Sequence, residues 1–241
     1  MSNTVTSYRI SKEVDQKINH YKQYFFTRKS KIITFAFYEM FSKNPIDINS
    51  LAQYIKQNGD KIELDEVNKS ISLRDEYLAA IYDLKSKVED ILNTKLYLNR
   101  FVGYLLEYYF TSMAFYLKKN SFITDPSVLE EKSQVGIYVN TEVKTLLSEL
   151  SSAFNLPKNM IVLDSLHGNE QASFFETHKT KDEIGIDTFE KERLILNLPH
   201  SVHQKLKELP FSFSPYIDIK LFDYIREYSL FKLIEKTPEQ T

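Results

Sequence analysis

The chain lacks cysteine altogether and has only five glycines among its 241 residues. Without cysteine there is no disulfide framework, no thiolate metal site and no cysteine nucleophile, and a reducing, cytoplasmic location is the expected one. So few glycines leave no phosphate-cradling loop, and the motifs GxSxG, HExxH and GxxxxGK[ST] are also absent. We therefore expect a protein that is not an enzyme, with no catalytic residues, no cofactor and no metal.

An excess of charge of one sign is also missing. The chain has 31 Lys and Arg against 33 Asp and Glu, a net charge of -2, which argues against uniform coating of nucleic acid or of an anionic membrane. The start, MSNTVTSYRI, has no basic-then-apolar stretch, so no signal peptide is expected. The most apolar run, residues 101–117, is shorter than the roughly 20 residues of a membrane span and contains Glu107. We interpret it as a buried helix and expect no membrane partner.

Two histidines, His200 and His203, are the nearest approach to a metal-ligand pair. Their spacing of three would put them on one helix face, but no further ligands for zinc lie nearby in the sequence. We interpret them as solvated residues of an exposed helix.

A pattern that occurs four times organises the sequence. In each repeat a short alternating strand is followed by a polar or proline break, an amphipathic helix, a short connection and a more apolar second helix. The last strand residues, Ile10, Leu73, Val139 and Leu198, follow one another at intervals of 63, 66 and 59. The four repeats are expected at about 4–43, 66–118, 134–168 and 192–234.

The strand faces and helix starts follow from the same pattern. Because side chains alternate along a strand, one face is predicted to be buried and the other to point outward. The predicted inward residues are Thr6, Tyr8, Ile10, Ile71, Leu73, Val135, Ile137, Val139, Leu194, Leu196 and Leu198. The predicted caps of first helices are Ser11 and Asn140, and those of second helices are Thr27 or Ser30, and Ser214 followed by Pro215.

Strand, Pro or Ser, helix, tight turn and helix is a pattern that resembles the ribbon-helix-helix family of DNA-binding proteins, the Arc, MetJ and CopG type. The stretches that carry the resemblance are RLILNLPHSVHQKLKEL (193–209), NLPKNMIVLDSL (155–166) and YRISKEV (8–14). In that family two such repeats intertwine, their strands pair antiparallel and four helices bury a shared core. The resemblance implies a mainly α fold with short antiparallel β-ribbons, in which four tandem repeats form two pseudo-dimers within one chain. The expected domains are 1–120 and 134–241, joined by a polar linker at 121–133 that contains Asp125-Pro126.

The resemblance also implies a site, because the family inserts its two-stranded ribbon into the DNA major groove. Three outward side chains per strand reach base edges. The positions here that match are Ser7, Arg9, Asn68, Ser70 and Ser72 in the first ribbon, and Gln134, Tyr138, Arg193 and Asn197 in the second. The family also holds a phosphate at the N-terminus of each second helix. The matching positions are Arg28, Lys29, Ser30, Asn99, Arg100, Lys158, Asn159 and Ser214.

The two halves of the chain differ in charge. Residues 1–124 have a net charge of +4 and residues 125–241 a net charge of -6, so the first half is the expected DNA binder. In the fourth repeat, Asp218 is expected in the first turn of the second helix, where it would repel a phosphate. Gly136 and the outward Ile195 are poor base readers, so the second half is expected to have drifted toward a protein partner or shape-only DNA contact.

Two functions stay open. The first is sequence-specific binding of double-stranded DNA at AT-rich, repeated sites. In this family such binding means transcription regulation or an accessory role on plasmids and other mobile elements, as in relaxosome assembly during conjugation, partition or copy control. The second is an interaction scaffold whose repeats have kept the fold and lost DNA binding. Either way the expected state is a monomer with internal pseudo-dimers, or one that self-associates further on DNA.

Overall fold

The computed structural model describes residues 3–43, 45–64, 68–113, 131–167, 190–210 and 212–235. The chain divides into two compact units, Met1–Lys118 and Lys119–Thr241. Within the described residues the protein is mainly helical, with nine α-helices and two antiparallel two-stranded sheets. Of the linker expected at 121–133, only residues 131–133 lie within the described ranges.

The described residues of the first unit form two strands and five α-helices. They are β1 (Asn3–Tyr8), α1 (Lys12–Tyr24), α2 (Lys29–Tyr38), α3 (Ile48–Asn58), β2 (Lys69–Arg74), α4 (Asp75–Leu92) and α5 (Leu98–Tyr108). Strand β1 pairs antiparallel with β2, with Asn3 opposite Arg74 and Tyr8 opposite Lys69. Helices α2 and α5 run on into single π-helical turns, Glu39–Lys43 and Tyr109–Met113. Helix α3 is an element that the strand-helix-helix pattern does not predict.

The second unit has two strands and four helices among its described residues. They are β3 (Lys132–Asn140), α6 (Thr141–Phe154), α7 (Lys158–His167), β4 (Lys191–Pro199), α8 (His200–Lys207) and α9 (Phe213–Glu235). Strand β3 pairs antiparallel with β4, with Gln134 opposite Asn197 and Tyr138 opposite Arg193.

Each sheet buries one face, as the alternation predicts. The inward side chains Tyr8, Ile10, Ile71 and Leu73 of the first ribbon are buried, and the second ribbon buries the six aliphatic side chains predicted to face in. Apolar residues at helical spacing, such as Val14, Ile18 and Tyr21 in α1, cover those faces. The buried helix predicted at 101–117 is confirmed from Phe101 to Phe110, and residues 114–117 lie outside the described ranges.

Within each unit the second helix after one strand packs against the other strand. Helix α5 packs on β1 and α2 on β2, while α9 packs on β3 and α7 on β4. The closest approach is at Gly103 of α5, where a Cβ atom would lie 1.9 Å from the carbonyl oxygen of Arg9. The Arg9 N–H donates to the Asn99 carbonyl oxygen at 3.2 Å in the same contact. Each helical layer therefore depends on both strand segments of its unit.

The predicted caps of the first helices are confirmed, whereas those of the second helices are wrong. Ser11 Oγ accepts from the Val14 N–H, and Asn140 Oδ1 accepts from the Glu142 N–H. Helix α2 begins after Arg28 without a side-chain cap, because Thr27 is still bonded to the end of α1 and Ser30 already lies inside α2. Helix α9 begins at Phe213, so Ser214 is a helical residue rather than the residue before the helix.

Candidate nucleic-acid interface

Beyond the terminal pair of Asn3 with Arg74, the outer face of the β1–β2 ribbon presents three cross-strand pairs. Val5 lies opposite Ser72 and Ser7 opposite Ser70, and Arg9 follows in register with Asn68. Val5, Asn68, Ser70 and Ser72 are exposed, and Ser7 and Arg9 are half-buried. The predicted outward orientation is therefore confirmed for this ribbon. The six side chains of these three pairs carry one positive charge and no carboxylate.

Arg9 is held in place at one end of this ribbon. Its Nε donates to Asn68 Oδ1 at 2.8 Å, and Asn99 Nδ2 donates to the same oxygen at 2.9 Å. The Arg9 backbone is fixed in turn by Asn99 and by the close approach of Gly103. Two residues predicted to contact bases and one predicted to contact phosphate thus form a single cluster. The bond to Asn68 uses Nε of the Arg9 guanidinium.

The N-terminus of α2 carries the cations predicted to contact phosphate, but they differ in exposure and in their ion pairs. Arg28 and Ser30 are exposed, and no acidic residue lies in the first turn. Lys29 instead forms an ion pair with Asp15 at 3.0 Å, and Lys69 pairs with the same carboxylate at 2.9 Å. Burial opposes ionisation of Asp15, but the hydrogen bonds from Lys69 and Lys29 outweigh it and lower the pKa of that carboxyl. At neutral pH the charge of Lys29 is therefore directed inward to Asp15.

The N-terminus of α5 lies beside the Arg9 cluster. Tyr97 precedes the helix without a side-chain cap, and Asn99 Oδ1 accepts from the Arg100 N–H at 2.8 Å. Arg100 is exposed, and the first turn contains no acidic residue. The structure therefore brings predicted base-contacting and phosphate-contacting residues together at this end of the first ribbon.

The outer face of the β3–β4 ribbon has a different character. Its pairs are Gln134 with Asn197, Gly136 with Ile195, and Tyr138 with Arg193. Tyr138 is 58% exposed and Ile195 53% exposed. The Arg193 guanidinium lies across Gly136, where a Cβ atom would be 3.0 Å from Nε. Gly136 thus makes room for an arginine that lies along the ribbon.

The remaining predicted phosphate contacts are occupied within the second unit. Lys158 Nζ donates to Ser148 Oγ at 2.6 Å, and Asn159 Oδ1 accepts from the backbone N–H of Asn197 at 3.2 Å. Ser214 is half-buried in the first turn of α9. The side chains of Lys158 and Asn159 thus have structural partners within the second unit.

The prediction for Asp218 is wrong. Because α9 begins at Phe213, Asp218 lies beyond its first turn, and it is buried. Its Oδ1 accepts from the backbone N–H of Asn140, the residue that caps α6, at 3.0 Å. Burial raises the pKa of Asp218 and the Asn140 hydrogen bond only partly opposes this. The carboxylate therefore connects α9 to the start of α6 and does not face the N-terminus of its own helix.

Glu107 makes an equivalent contact in the first unit, with the residue that caps α1. Its Oε1 accepts from the backbone N–H of Ser11 at 2.6 Å, and Ser11 Oγ donates to Oε2 at 3.1 Å. Burial raises the pKa of Glu107 against the effect of those two hydrogen bonds. Buried carboxylates also lie on the other two second helices or their extensions, at Glu39 and Asp164. Each second helix or its extension thus carries a buried acidic residue, and for Glu107 and Asp218 it bonds to the backbone N–H of the residue that caps a first helix.

The two histidines at the start of α8 make local contacts. His200 Nδ1 lies 3.2 Å from Ser133 Oγ, and its Nε2 lies 3.0 Å from Gln204 Nε2. Burial lowers the pKa of His203, and the nearby Lys207 and His200 lower it further. Across the described ranges, no three His, Cys, Asp or Glu side chains cluster in a way that would hold a metal ion. Likewise, none of the described helices combines the length and apolarity needed to cross a membrane.

Sequence reasoning missed three features of this region. The pairing of Asp15 with Lys29 and Lys69 joins residues 14 and 54 positions apart, and the close approach at Gly103 is a tertiary contact with no local signal. Helix α3 had a local signal in Asp47, whose side chain accepts from the Ser50 N–H at 2.9 Å, and in the spacing of Leu51, Ala52 and Ile55.

Comparison of the chain with protein-family models, with curated proteins and with solved structures gives no match. The resemblance to ribbon-helix-helix proteins therefore stays a prediction, and a function has to be inferred from the two ribbon faces and the helix N-termini.

Proposed function

We propose that this chain is a sequence-specific double-stranded DNA-binding protein that inserts the β1–β2 ribbon into the major groove. In this proposal each unit is a ribbon-helix-helix pseudo-dimer made from two tandem repeats, and the protein is cytoplasmic. The observation that carries the proposal is the outer face of the first ribbon. It combines one oriented guanidinium with hydroxyl and amide groups, and it has no carboxylate among the six side chains of its three pairs.

The chemistry of that face suits base edges. A two-stranded ribbon fits the major groove, where arginine makes bidentate contacts to guanine, and serine and asparagine bond to several bases. Arg9 is already ordered by its bond to Asn68 Oδ1, so less side-chain freedom would be lost on binding. The small Ser7–Ser70 pair in the middle of the ribbon allows close approach to the bases.

Phosphate contacts are proposed at the N-termini of α2 and α5. Arg28 precedes α2 and Arg100 lies in the first turn of α5, and both are exposed. The residue before each helix provides no side-chain cap, and neither first turn has an acidic residue. Asn99 Oδ1 occupies the Arg100 N–H in α5, and the other first-turn N–H groups and the helix dipole favour an anion. The net charge of +4 over residues 1–124 also supports the proposal that the first half of the chain binds DNA.

The biological role proposed with this binding follows from the resemblance. It is regulation of transcription or an accessory function on a plasmid or other mobile element. A repressor acts by occupying its operator, and relaxosome, partition and copy-control proteins act by assembling on repeated sites. Two ribbons in one chain favour a target with more than one subsite.

A second candidate, an interaction scaffold, is favoured by one observation in the second unit. The exposed Tyr138 and Ile195 flank an arginine that lies flat over Gly136, so this face offers an apolar surface where the first ribbon offers polar groups. Exposed aromatic and aliphatic groups beside an arginine are typical of protein interfaces. We propose that this face binds a protein partner, whether or not the first ribbon binds DNA.

The test is selection of bound duplexes from a random DNA library with the full chain, followed by binding curves for variants. Arg9→Ala is expected to lower affinity about tenfold to a hundredfold at its preferred site and to relax preference at one base pair. Arg100→Ala is expected to weaken binding to all sequences and to reduce the salt slope by about 1. Lys87→Ala, on the exposed surface of α4, is the control for loss of a cation.

The two candidates give different results. A recovered motif that Arg9→Ala loses supports the DNA-binding proposal. An empty selection at low salt, or equal affinity of Arg9→Ala and Lys87→Ala for the motif, refutes it and leaves the scaffold.

A further inference from the structure

Helix α3 lies outside the strand-helix-helix pattern and forms one wall of a cleft in the first unit. The opposite walls are the end of α4, the loop that follows it and the start of α5. The cleft has a volume of about 580 Å³, within the range of roughly 300–1,000 Å³ typical of small-molecule sites. This helix therefore adds a concave surface that the ribbon and its supporting helices do not need.

The cleft is preformed by hydrogen bonds around its rim. Glu89 Oε1 accepts from the backbone N–H of Leu96 at 2.6 Å and from Lys85 Nζ at 2.8 Å, which fixes the loop after α4. Tyr104 donates its hydroxyl to the Gly59 carbonyl oxygen at 3.3 Å, joining α5 to the end of α3. A ligand would therefore meet walls that are already ordered.

Positive charge predominates in the lining. Lys56 of α3, Lys95 of the loop and Arg100 of α5 line the cleft, against a single carboxylate, Asp60. Among the described residues Lys56 and Arg100 form no ion pair, and Lys95 lies 3.8 Å from Glu89 with its side chain 93% exposed. Of the described lining cations, Lys56 and Arg100 are thus without an ion pair, whereas Lys95 pairs with Glu89 at the edge of the cleft.

The rest of the lining is mixed, with Asn49, Gln53 and Thr94 beside apolar residues. Ile55 and Leu96 contribute to the walls, and Ile91 lines the cleft although it is 51% exposed. An exposed isoleucine beside three cations suits a ligand with an apolar body and an anionic group, because a plain inorganic ion would leave the apolar walls uncovered.

We propose that this cleft binds a small organic anion, with Lys56, Lys95 and Arg100 holding its carboxylate, sulfonate or phosphate group and Ile55, Ile91 and Leu96 contacting its apolar part. The site does not depend on the proposed DNA binding, and it is tested without DNA.

The probe is anilinonaphthalene sulfonate, titrated by fluorescence against the full chain at constant ionic strength. We expect saturable binding at one site, weakened about tenfold in Lys56→Ala and in Arg100→Ala, because each removes a charge-assisted contact. Gln53 is an exposed lining residue of α3, so Gln53→Trp keeps every charge but fills the cleft. This variant is also expected to bind the probe more weakly. Lys87→Ala removes a lysine of α4 outside the cleft and should leave binding unchanged.

A neutral analogue, phenyl-naphthylamine, separates charge from apolar contact, and it is expected to bind at least about tenfold more weakly than the sulfonate. Far-UV circular dichroism checks that each variant is folded. Equal affinity for the two probes would overturn the anionic class of ligand. Unchanged sulfonate binding in both Gln53→Trp and the Lys56→Ala/Arg100→Ala double variant would overturn the site.

Discussion

Replacement of Gly103 by alanine is expected to destabilise the first unit, because α5 rests on the strand segment at this residue. The added methyl group would lie 1.9 Å from the Arg9 carbonyl oxygen and 3.1 Å from its carbonyl carbon. Both atoms belong to the backbone, so no side-chain rotation relieves the contact. The helix or the strand segment has to move by more than 1 Å, since an ordinary carbon–oxygen contact is about 3.3–3.6 Å.

The magnitude follows from three contributions. Overpacking of a well-packed core costs about 1–3 kcal/mol, and a clash between two backbone segments belongs at the upper end. Movement of α5 also lengthens the hydrogen bond from the Arg9 N–H to the Asn99 carbonyl, which is worth about 1 kcal/mol. Alanine offsets about 1 kcal/mol of this through its higher helix propensity. The free energy of unfolding is therefore expected to fall by about 3 kcal/mol.

The chain has no tryptophan, so unfolding in urea is best followed by far-UV circular dichroism, with calorimetry to separate the two units. The control is Gly136→Ala, whose new methyl group would meet only the flexible guanidinium of Arg193 at 3.0 Å. That variant should change stability by less than about 0.5 kcal/mol. If Gly103→Ala were as stable as the wild type, the close packing of α5 on β1 would be wrong.

Three further predictions concern charge. Burial raises the pKa of Glu107 in the folded state above its ordinary 4.5, so the stability that Glu107 contributes is lost as pH rises through the raised pKa. The free energy of unfolding of the wild type relative to Glu107→Gln should therefore fall as pH rises above about 4.5, and a flat difference in urea titrations would contradict this. Asp15→Asn removes the carboxylate that pairs with Lys29, so DNA affinity should rise and the salt slope should steepen by about 0.9 if this lysine reaches a phosphate; unchanged binding would mean that it does not. Because Arg100 serves both proposed sites, anilinonaphthalene sulfonate should weaken DNA binding by the wild type and not by Arg100→Ala, as measured by fluorescence anisotropy of a labelled duplex.

The strands and their faces were predictable from sequence because the pattern has a period of two over short distances. Tyr8 and Ile10 alternate with Ser7 and Arg9, and burial of the first pair decides the orientation of the second. The caps Ser11 and Asn140 were predictable for a similar reason, since a cap bonds to an amide only two or three residues away.

The errors concern contacts between residues distant in sequence. The local sequence suggests that Asp218 lies in the first turn of its helix. Its side chain instead accepts a hydrogen bond from the backbone N–H of Asn140, 78 residues earlier in the chain. Asp15 likewise meets Lys69 across 54 residues. No local pattern specifies such pairs, so predictions about available charge failed where predictions about strand faces succeeded.

The Arg9 cluster connects the fold to the proposed function. Gly103 and Asn99 of α5 contact the Arg9 backbone. The Asn99 side chain also donates to Asn68 Oδ1, the oxygen that accepts from the Arg9 guanidinium. A change at Gly103 should therefore alter both stability and DNA binding, whereas Arg9→Ala removes a half-buried side chain and leaves the backbone contacts in place. We expect Arg9→Ala to lose DNA binding at unchanged stability, and Gly103→Ala to lose both. This result would distinguish the side chain that contacts the bases from the packing that positions it.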